Sequence, residues 1–352
     1  MEIKKIQEAE LENKKVILRV GFDVSVENGH AKELFKIKTV KETVDYLVSK
    51  NAKIAMMTYF GRPRGKKDIK FSLNQLVGDI EQALGYKIKF VPDCIGKKVE
   101  EAMDNLGEKE LIMLENVRFY PGEGDFEMGL DYDEEFAKKL AQGFDFFIND
   151  AFSQSHRSQA SISGIPKYIP SYAGFLMQKE IENLNHVLHE PDYPATAIIG
   201  GAKIETKLPL IKAFEKTYTH VLVGGRVANE AIDQKIEFSA KVILPNDFAK
   251  DRLDIGEKTL ERFKDIINHS KVVVWNGPMG KFEEPPYDKG TRDILDAVAD
   301  CDGFTLIGGG ESVQVLEENG LMDKVSFVST GGGAMLEYLS GNSMPGIEAL
   351  KK

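Results

Sequence analysis

Thr305-Leu-Ile-Gly-Gly-Gly-Glu-Ser-Val313 joins a short apolar run to three glycines, a carboxylate and a hydroxyl group. Three successive residues without Cβ let the backbone turn sharply and let its N–H groups approach an anion. Glu311 and Ser312 then stand where the next helix begins, which is a favourable place for phosphate. Because a carboxylate repels bare phosphate, this order predicts that Glu311 binds Mg²⁺ beside the phosphate. A plain tight turn from strand to helix is the alternative.

The same order of strand, turn and helix recurs along the whole chain. It predicts an α/β fold with two doubly wound parallel sheets of the Rossmann type, since alternating strands and helices cover a parallel sheet on both faces. The strand-like runs of the first half are residues 15–20, 54–59, 87–91, 111–114 and 144–149. Those of the second half are residues 196–199, 220–223, 241–244, 272–275, 305–307 and 325–328.

A long amphipathic helix is predicted between the two halves, because apolar residues recur at helical spacing from Met177 to Leu188. It follows a stretch with proline and serine at residues 165–173. We therefore expect a domain boundary there, with one domain at residues 1–172 and a second at 173–339. The helix is expected to be the hinge that joins them.

Composition excludes several classes of protein. The chain has 352 residues, of which 46 are basic and 56 acidic, and its net charge of −10 argues against a general nucleic-acid binder. Cys94 and Cys301 lie far apart and form neither a zinc motif nor a disulfide framework, which fits a reducing cytoplasm. No run approaches the ~18 apolar residues of a membrane span, and no signal or anchor is expected. The expected partners are small molecules.

Glycine turns follow five strands of the second half, and ligands of open α/β sheets bind at the carboxyl ends of strands. The turns lie at residues 200–201, 224–225, 277–280, 308–310 and 331–333. Five such turns at one edge of a sheet are far more specific than one. Lys203 and Lys207 are four residues apart and would share a helix face near these turns, where they could reach phosphates. A solvated basic face is the alternative for this pair.

Arginines follow strands of the first half. Arg62, Arg118 and Arg157 come after three different strand-like runs. Each alone is more often part of a surface ion pair, but three guanidinium forks at equivalent strand ends predict a second anion site. Two anion sites on two domains suggest phosphoryl transfer between bound partners. Neither a P-loop nor a dinucleotide-binding glycine motif is present.

Several motifs occur in a specific order along the chain. They are Leu114-Glu-Asn-Val-Arg-Phe119, Asn149-Asp-Ala-Phe152, His156-Arg157, Gly200-Gly-Ala-Lys203, Trp275-Asn-Gly-Pro-Met-Gly280, Phe282-Glu283, Gly308-Gly-Gly310 and Ser329-Thr-Gly-Gly-Gly-Ala334. With these motifs the chain resembles the phosphoglycerate kinase family, as a divergent and shortened member. The resemblance runs nearly end to end, from Arg19-Val-Gly-Phe-Asp23 to Met344-Pro-Gly-Ile347.

The resemblance implies an N-terminal acceptor domain, a C-terminal nucleotide domain, and residues 340–352 that return to pack on the first domain. It implies reversible phosphoryl transfer between ATP and the carboxylate of 3-phosphoglycerate, with Mg²⁺ as cofactor. Lys36 and Lys203 would then be the catalytic residues. The residues that would bind nucleotide are Lys203, Lys207, Gly225, Asn276, Glu283, Gly309, Gly310, Glu311 and Ser312, with Glu311 as the metal ligand. Those that would bind the acceptor are Gly21, Asp23, Lys36, Tyr59, Arg62, Arg118 and Arg157.

The departures from the family pattern cluster on the acceptor side. Gly21 and Asp23 stand where the family has aspartate and asparagine, and Lys36 stands where it has an arginine. Tyr59 and Gln159 each replace a histidine. An arginine-to-lysine change at a transfer site loses the planar bidentate fork.

Three further departures concern the nucleotide side. Glu311 and Ser312 replace aspartate and threonine, and Arg226 occupies a position where the family prefers a small residue. The chain is also abbreviated between Asp247 and Asp254. We therefore expect a glycolytic, ATP-dependent carboxyl phosphotransferase that is a cytoplasmic monomer. A kinase for a different phosphorylated acid, or a degenerate homologue that binds without turnover, is the alternative.

Overall fold

The computed structural model describes residues 2–22, 24–27, 29–125, 128–189 and 191–352. The chain divides into two compact units, of which the first is Met1–Glu180 with Ser343–Lys352 and the second is Ile181–Asn342. Each unit contains a six-stranded sheet whose strand pairs are all parallel. The predicted α/β class with two parallel sheets is confirmed.

The first unit contains the elements β1 to α6 in chain order. They are β1 Lys15–Val20, β2 Val26–Glu27, β3 His30–Ala31, α1 Leu34–Lys38, α2 Lys41–Ser49, β4 Lys53–Met57, α3 Val77–Leu84, β5 Lys87–Val91, α4 Lys97–Asp104, β6 Glu110–Leu114, α5 Glu134–Ala141, β7 Phe146–Asp150, β8 Ser171–Ala173 and the start of α6 Phe175–His189. The sheet has the order β5-β6-β4-β1-β7-β8, and β2 and β3 form a separate antiparallel pair.

The second unit begins within α6 and repeats the architecture. Its elements are β9 Ala195–Ile199, α7 Ile204–Thr217, β10 His220–Val223, α8 Gly225–Asp233, β11 Val242–Ile243, α9 Glu257–Asn268, β12 Val272–Asn276, α10 Lys289–Ala299, β13 Phe304–Gly308, α11 Gly310–Glu318, β14 Phe327–Val328 and α12 Gly332–Leu339. The sheet has the order β11-β10-β9-β12-β13-β14. A last short helix, α13 Pro345–Glu348, belongs to the first unit.

The core of the first unit lies on both faces of its sheet. Successive residues of β1 alternate between the faces, so Val16 and Leu18 join one apolar cluster and Ile17 joins the other, and none of the three is exposed to solvent. A parallel strand covered on both faces reads as a continuous apolar run, which explains why β1 is visible in the sequence. No helix in the described ranges combines the length and apolarity that crossing a bilayer requires.

The division between the units falls inside α6, beyond the expected boundary at residue 172. Ser171–Ala173 pairs with β7 as the edge strand β8, so this stretch belongs to the first sheet. The helix expected as a hinge is present as a 15-residue helix that contains the division.

Residues 343–352 pack within the first unit. Ile3 and Lys351 form an antiparallel bridge, and the Lys4 N–H donates to the carbonyl of Leu350 at 2.9 Å. The Gly346 N–H donates to the carbonyl of Ser155 at 2.9 Å. Three apolar side chains of this segment are buried: Met344, Ile347 and Leu350.

Candidate functional site

A cavity of about 110 Å³ in the first unit is lined by the three predicted arginines. Arg62 follows β4, Arg118 follows β6 and Arg157 follows β7, so three separate loops bring one arginine each to a single cavity. Arg64 also lines this cavity and was not predicted. Asp125 is the one acidic residue among its described lining residues, so cationic groups predominate there.

Arg118 is held in place from several sides. Its guanidinium lies 3.6 Å from the centre of the Tyr59 ring, and its Nη1 donates to the carbonyl of Gly61 at 3.0 Å. Gln154 connects the two stacked side chains, because its Nε2 donates to the Tyr59 hydroxyl at 2.8 Å and its Oε1 accepts from Arg118 at 3.5 Å. Tyr59 is buried and is not among the residues that line the cavity. The structure therefore places Tyr59 beneath a cavity arginine.

A buried ionic group also lies near Tyr59. The Arg19 guanidinium is 5.7 Å from the ring centre and donates through Nε to the Ser161 hydroxyl at 3.0 Å. The same hydroxyl donates to Glu123 at 2.6 Å. Burial lowers the pKa of Arg19 to about 10, although the Glu123 carboxylate opposes the change. Arg19, Ser161 and Glu123 thus form a buried polar network near Tyr59. Arg19 belongs to a motif noted in the sequence, but neither Arg19 nor Glu123 was predicted to have a role in the site.

Three other acceptor-side predictions concern Gly21, Asp23 and Lys36. A Cβ on Gly21 would stand 2.6 Å from the Ser153 Oγ, so the hydroxyl of Ser153 occupies space that a larger residue at position 21 would need. Lys36 lies half-buried on α1 and does not line the arginine cavity. Asp23 lies outside the described residues. Lys36 is therefore not part of the arginine cavity, and its role near the reacting carboxylate stays a prediction.

The glycine turns of the second unit are hydrogen-bonded to one another. The Gly201 N–H donates to the carbonyl of Pro278 at 2.9 Å, and the Gly225 N–H donates to that of Met279 at 2.8 Å. A Cβ on Gly277, whose φ is +92°, would stand 2.3 Å from the carbonyl oxygen of Gly200. These glycines therefore permit close packing of the loops that follow β9, β10 and β12, in addition to any contact with a ligand.

A polar cluster lies at the starts of α7 and α11. The Lys207 ammonium donates to the Oδ1 of Asn276, and Asn276 donates through Nδ2 to the carbonyl of Gly308 at 2.9 Å. Burial lowers the pKa of Lys207 to about 8, while the nearby Glu311 carboxylate opposes this change. Burial also raises the pKa of Glu311, and the negative charge of Glu283 adds to the increase. Glu283, Glu311 and Lys207 are therefore close enough for their charges to influence one another.

The remaining nucleotide-side predictions occupy the same region. Gly309 has a φ of +99° and immediately precedes α11. Gly310, Glu311 and Ser312 therefore lie in the first turn of α11. The Ser312 hydroxyl is buried and accepts from the Gly277 N–H at 2.8 Å, which ties α11 to the turn after β12. Lys203 is exposed and immediately precedes α7.

A second cavity, of about 620 Å³, lies in the second unit beside this cluster. It is lined by Glu283 and Glu311, by two of the glycine turns (residues 200–201 and 277–280), and by α8. The α8 residues are Arg226, which the sequence analysis noted as a departure, and Asn229, Glu230 and Asp233, which it did not name. Its volume lies within the range of about 300 to 1,000 Å³ that is typical of sites for small molecules.

Comparison with known proteins identifies the family. A family profile described as phosphoglycerate kinase matches residues 6–247 and 231–342. The chain is 35% identical to the phosphoglycerate kinase of Borrelia hermsii over 398 aligned positions that include all of both chains. It is also 35% identical to that of Moorella thermoacetica, with 98% of each chain covered. The chain belongs to the phosphoglycerate kinase family.

Solved structures of phosphoglycerate kinases have the same fold. The structure from Pyrococcus horikoshii OT3 has a TM-score of 0.87 at 28% identity and covers 99% of this chain and 98% of its own. That from Coxiella burnetii has a TM-score of 0.82 at 27% identity, with 99% of each chain covered. This phosphoglycerate kinase family member has 352 residues, fewer than the 398 aligned positions. At some of these positions, therefore, the Borrelia relative has a residue and this chain has none.

In this member of the phosphoglycerate kinase family, the abbreviated segment forms one wall of the larger cavity. Asp251, Arg252 and Leu253 line the cavity together with residues of α8, and Arg252 donates hydrogen bonds to two of these, Asn229 and Asp233. Asp251 and Arg252 both have a φ of +58°. Left-handed backbone at residues other than glycine costs about 1 to 3 kcal/mol each and persists only where the surroundings enforce it. Nothing local in the sequence marks these two residues.

Proposed function

We propose that this chain catalyses reversible phosphoryl transfer between Mg-ATP and the carboxylate of 3-phosphoglycerate, the glycolytic reaction of phosphoglycerate kinase. The observation that carries the proposal is the convergence of Arg62, Arg118 and Arg157, from three separate loops, on one cavity. Guanidinium forks match the oxygens of a phosphate monoester, and three of them balance its charge. The non-reacting phosphate of the acceptor would bind in this cavity.

The second unit would hold the nucleotide. The cavity lined by Glu283 and Glu311 has the size of a nucleotide site, and the N-terminus of α11 favours phosphate. Two adjacent carboxylates beside Lys207 repel a bare polyphosphate, yet they fit a Mg²⁺ ion that takes one or two carboxylates and completes its shell with phosphate oxygens and water. Glu311 would therefore hold Mg²⁺, which neutralises phosphate charge when bound.

Transfer would then depend on positioning and charge. Lys207, whose pKa is lowered to about 8, is a compact cation that can neutralise a phosphate oxygen, and exposed Lys203 can do the same at the start of α7. No covalent intermediate with the enzyme is required, since phosphoryl transfer is catalysed mainly by orientation and electrostatic stabilisation. Lys36 stays a predicted participant near the reacting carboxylate. A cytoplasmic location and a monomeric state also stay predictions.

Steady-state turnover with Mg-ATP and 3-phosphoglycerate tests the proposal. Replacing Arg118→Lys keeps the charge and removes the fork, and should weaken the apparent affinity for 3-phosphoglycerate about ten- to a hundredfold, as expected for a hydrogen bond to a charged group. Arg262→Lys is the matched control, because Arg262 lies on α9 and lines neither cavity.

Three outcomes distinguish the proposal from its alternatives. Turnover on 3-phosphoglycerate that depends on Arg118 supports it. Binding of Mg-ATP and 3-phosphoglycerate without turnover would indicate a degenerate homologue. Turnover with another phosphorylated acid, and none with 3-phosphoglycerate, would indicate a changed acceptor.

A further inference from the structure

Asn116 holds together the two ends of a segment that carries two arginines of the arginine cavity. It follows β6, and its side chain is fully buried. Its Nδ2 donates to the carbonyl of Phe60 at 2.6 Å and to that of Phe71 at 2.8 Å. These two carbonyls flank residues 61–70, so one amide group joins the start of this segment to its end.

The segment 61–70 gains little from packing. Its two cavity arginines, Arg62 and Arg64, are exposed, and so is Ile69, whose side chain is 81% accessible. Burial of apolar surface therefore contributes little to holding this segment in one conformation, although ordering it costs backbone and side-chain entropy. The position of its arginines depends mainly on hydrogen bonds.

The same side chain fixes the turn that carries Arg118. The Asn116 Oδ1 accepts from the Arg118 N–H at 3.1 Å and caps the turn Val117–Phe119. Arg118 in turn bonds to the segment at two places, because its Nη1 donates to the carbonyl of Gly61 at 3.0 Å and its own carbonyl accepts from the Gly65 N–H at 3.1 Å. The loop after β4 and the turn after β6 thus form one hydrogen-bonded unit, and Asn116 bonds to both parts of it.

These three contacts use both donors and the acceptor oxygen of the Asn116 amide. A carboxylate of the same shape has no donor and would turn a negative oxygen toward the two carbonyls. A serine keeps an oxygen that can cap the turn, but its hydroxyl has one donor and cannot bond to both carbonyls. Variants can therefore break the closure of the segment while they keep a capping oxygen.

We propose that Asn116 is a positioning residue for acceptor binding, which sets the separation of Arg62 and Arg118 without contacting the acceptor. This inference rests on the proposed binding of the acceptor phosphate in the arginine cavity. Asn116 is not among the described residues that line this cavity, whereas Arg62 and Arg118, which belong to the two parts that it joins, both line it. Two guanidinium groups can bind one phosphate together only at a suitable separation, because hydrogen bonds weaken steeply with distance and angle.

Calorimetry with 3-phosphoglycerate, which requires no turnover, tests this inference. Asn116→Ser and Asn116→Asp should each weaken binding about ten- to a hundredfold, roughly the loss of one hydrogen bond to a charged group. The serine variant adds no buried charge, and the aspartate variant keeps the shape of the side chain. Leu47→Ala is the control, because it removes a fully buried apolar side chain of α2 in the same unit and should leave binding within about twofold.

A double-mutant cycle with Arg62 separates positioning from stability. Arg62→Ala alone should weaken binding about ten- to a hundredfold. If Asn116 acts through Arg62, the same change made in Asn116→Ser should cost at least about fivefold less, because the effects of coupled residues do not add. Losses that simply multiply would overturn the inference, since Asn116 would then act independently of Arg62.

The remaining outcomes separate this inference from the proposed function. Unchanged binding in both Asn116 variants, or an equal loss in Leu47→Ala, would overturn the inference and leave the proposed function in place. Failure of both Asn116 variants to fold would overturn it as well, because Asn116 would then be needed for the fold itself. If wild-type protein binds 3-phosphoglycerate without turnover, the proposed reaction fails and the positioning role stands. If it does not bind 3-phosphoglycerate, both fail.

Discussion

At the scale of single residues, Tyr59 orients Arg118 without lining the cavity itself. The stacked pair and the shared partner Gln154 fix the guanidinium in one direction. Tyr59→Leu should raise KM for 3-phosphoglycerate about two- to thirtyfold, the range of a cation–π contact, with a smaller change in kcat. Tyr59→Phe keeps the ring and should retain most of the affinity. Steady-state kinetics distinguishes them, and equal effects of both variants would assign the role to the hydroxyl.

Glu311 is the residue at which the role of the metal can be tested. Glu311→Ala should weaken binding of Mg-ATP, because the carboxylate that would hold Mg²⁺ is removed. Binding of metal-free ATP should be less affected, or should improve, since one negative charge beside the phosphates is lost. Calorimetry with and without Mg²⁺ measures both affinities. An equal loss for the two forms would exclude metal ligation by Glu311.

The sequence identified residues that a strand end or a motif marks. Arg62, Arg118 and Arg157 were predictable because each follows a strand, and the carboxyl ends of parallel strands meet at one edge. Arg64 and Arg252 were not, because they reach their cavities through left-handed backbone that no sequence pattern announces. Position alone therefore predicts where a binding surface lies, but gives an incomplete list of the side chains that form it.

At the scale of the elements, the first turn of α7 carries a lysine that titrates close to neutral pH. Burial lowers the pKa of Lys207 to about 8, so the charge that attracts phosphate is present below pH 8 and is lost above it. Affinity for Mg-ADP should therefore fall above pH 8, by at most about tenfold per pH unit for one linked proton. Calorimetry from pH 7 to 9 measures this slope. Lys207→Met should bind more weakly and show no such slope, whereas a retained slope would point to another group.

The start of α6 rests on a buried carboxylate at the end of β7. Asp150 accepts from the Met177 N–H at 2.9 Å, and burial raises its pKa to about 7. Between pH 4 and 7 the folded protein keeps a proton that the unfolded chain loses, so stability should fall as pH rises, by up to about 1.4 kcal/mol per pH unit. An asparagine at position 150 cannot titrate, so Asp150→Asn should remove this part of the pH dependence of stability.

The contribution of Asp150 to the pH dependence of stability is measured by comparing the thermal midpoints of the wild-type protein and Asp150→Asn at pH 5 and pH 7.5. The thermal midpoint of Asp150→Asn, relative to that of the wild type, should be higher at pH 7.5 than at pH 5. Asp131→Asn, an exposed acid of the same unit, is the control and should give parallel curves. Parallel curves for Asp150→Asn would show that its carboxyl group does not titrate in this range.

Long apolar strands were predicted well and short edge elements were not. β1 and β10 have the predicted bounds because most of their residues are apolar and buried. β8 and the pair β2–β3 were missed, since two or three residues give no periodicity. The omission of β8 accounts for part of the distance between the expected boundary at residue 172 and the observed division after Glu180.

At the scale of the whole molecule, the first unit is discontinuous in sequence. Ile347→Ala removes a fully buried side chain from the segment that returns to it, and should cost about 2 to 5 kcal/mol. Amide hydrogen exchange should show faster exchange in residues 2–180 and little change in the second unit. Lys352→Ala, which removes exposed ion pairs with Glu2 and Glu8, is the control. Equal acceleration in both units would show that the segment stabilises the whole chain.

The two-unit architecture was predictable because alternation of strands and helices is a property of the whole sequence. The motifs also indicated that residues near 340–352 return to the first domain, but only through resemblance to the family. No local pattern carries that information, because the pairing of Ile3 with Lys351 joins residues at opposite ends of the sequence. Contacts of such separation are fixed by tertiary packing alone.

The discontinuity also has a consequence for biosynthesis. Residues 343–352 leave the ribosome only after the entire second unit has been translated, which takes roughly 10 to 30 s at the usual speed of synthesis. During that interval the nascent first unit lacks Met344, Ile347 and Leu350, and the apolar surfaces that bury these side chains stay open. The first unit, although made first, is therefore completed last, and its open surfaces are available to chaperones throughout translation of the second.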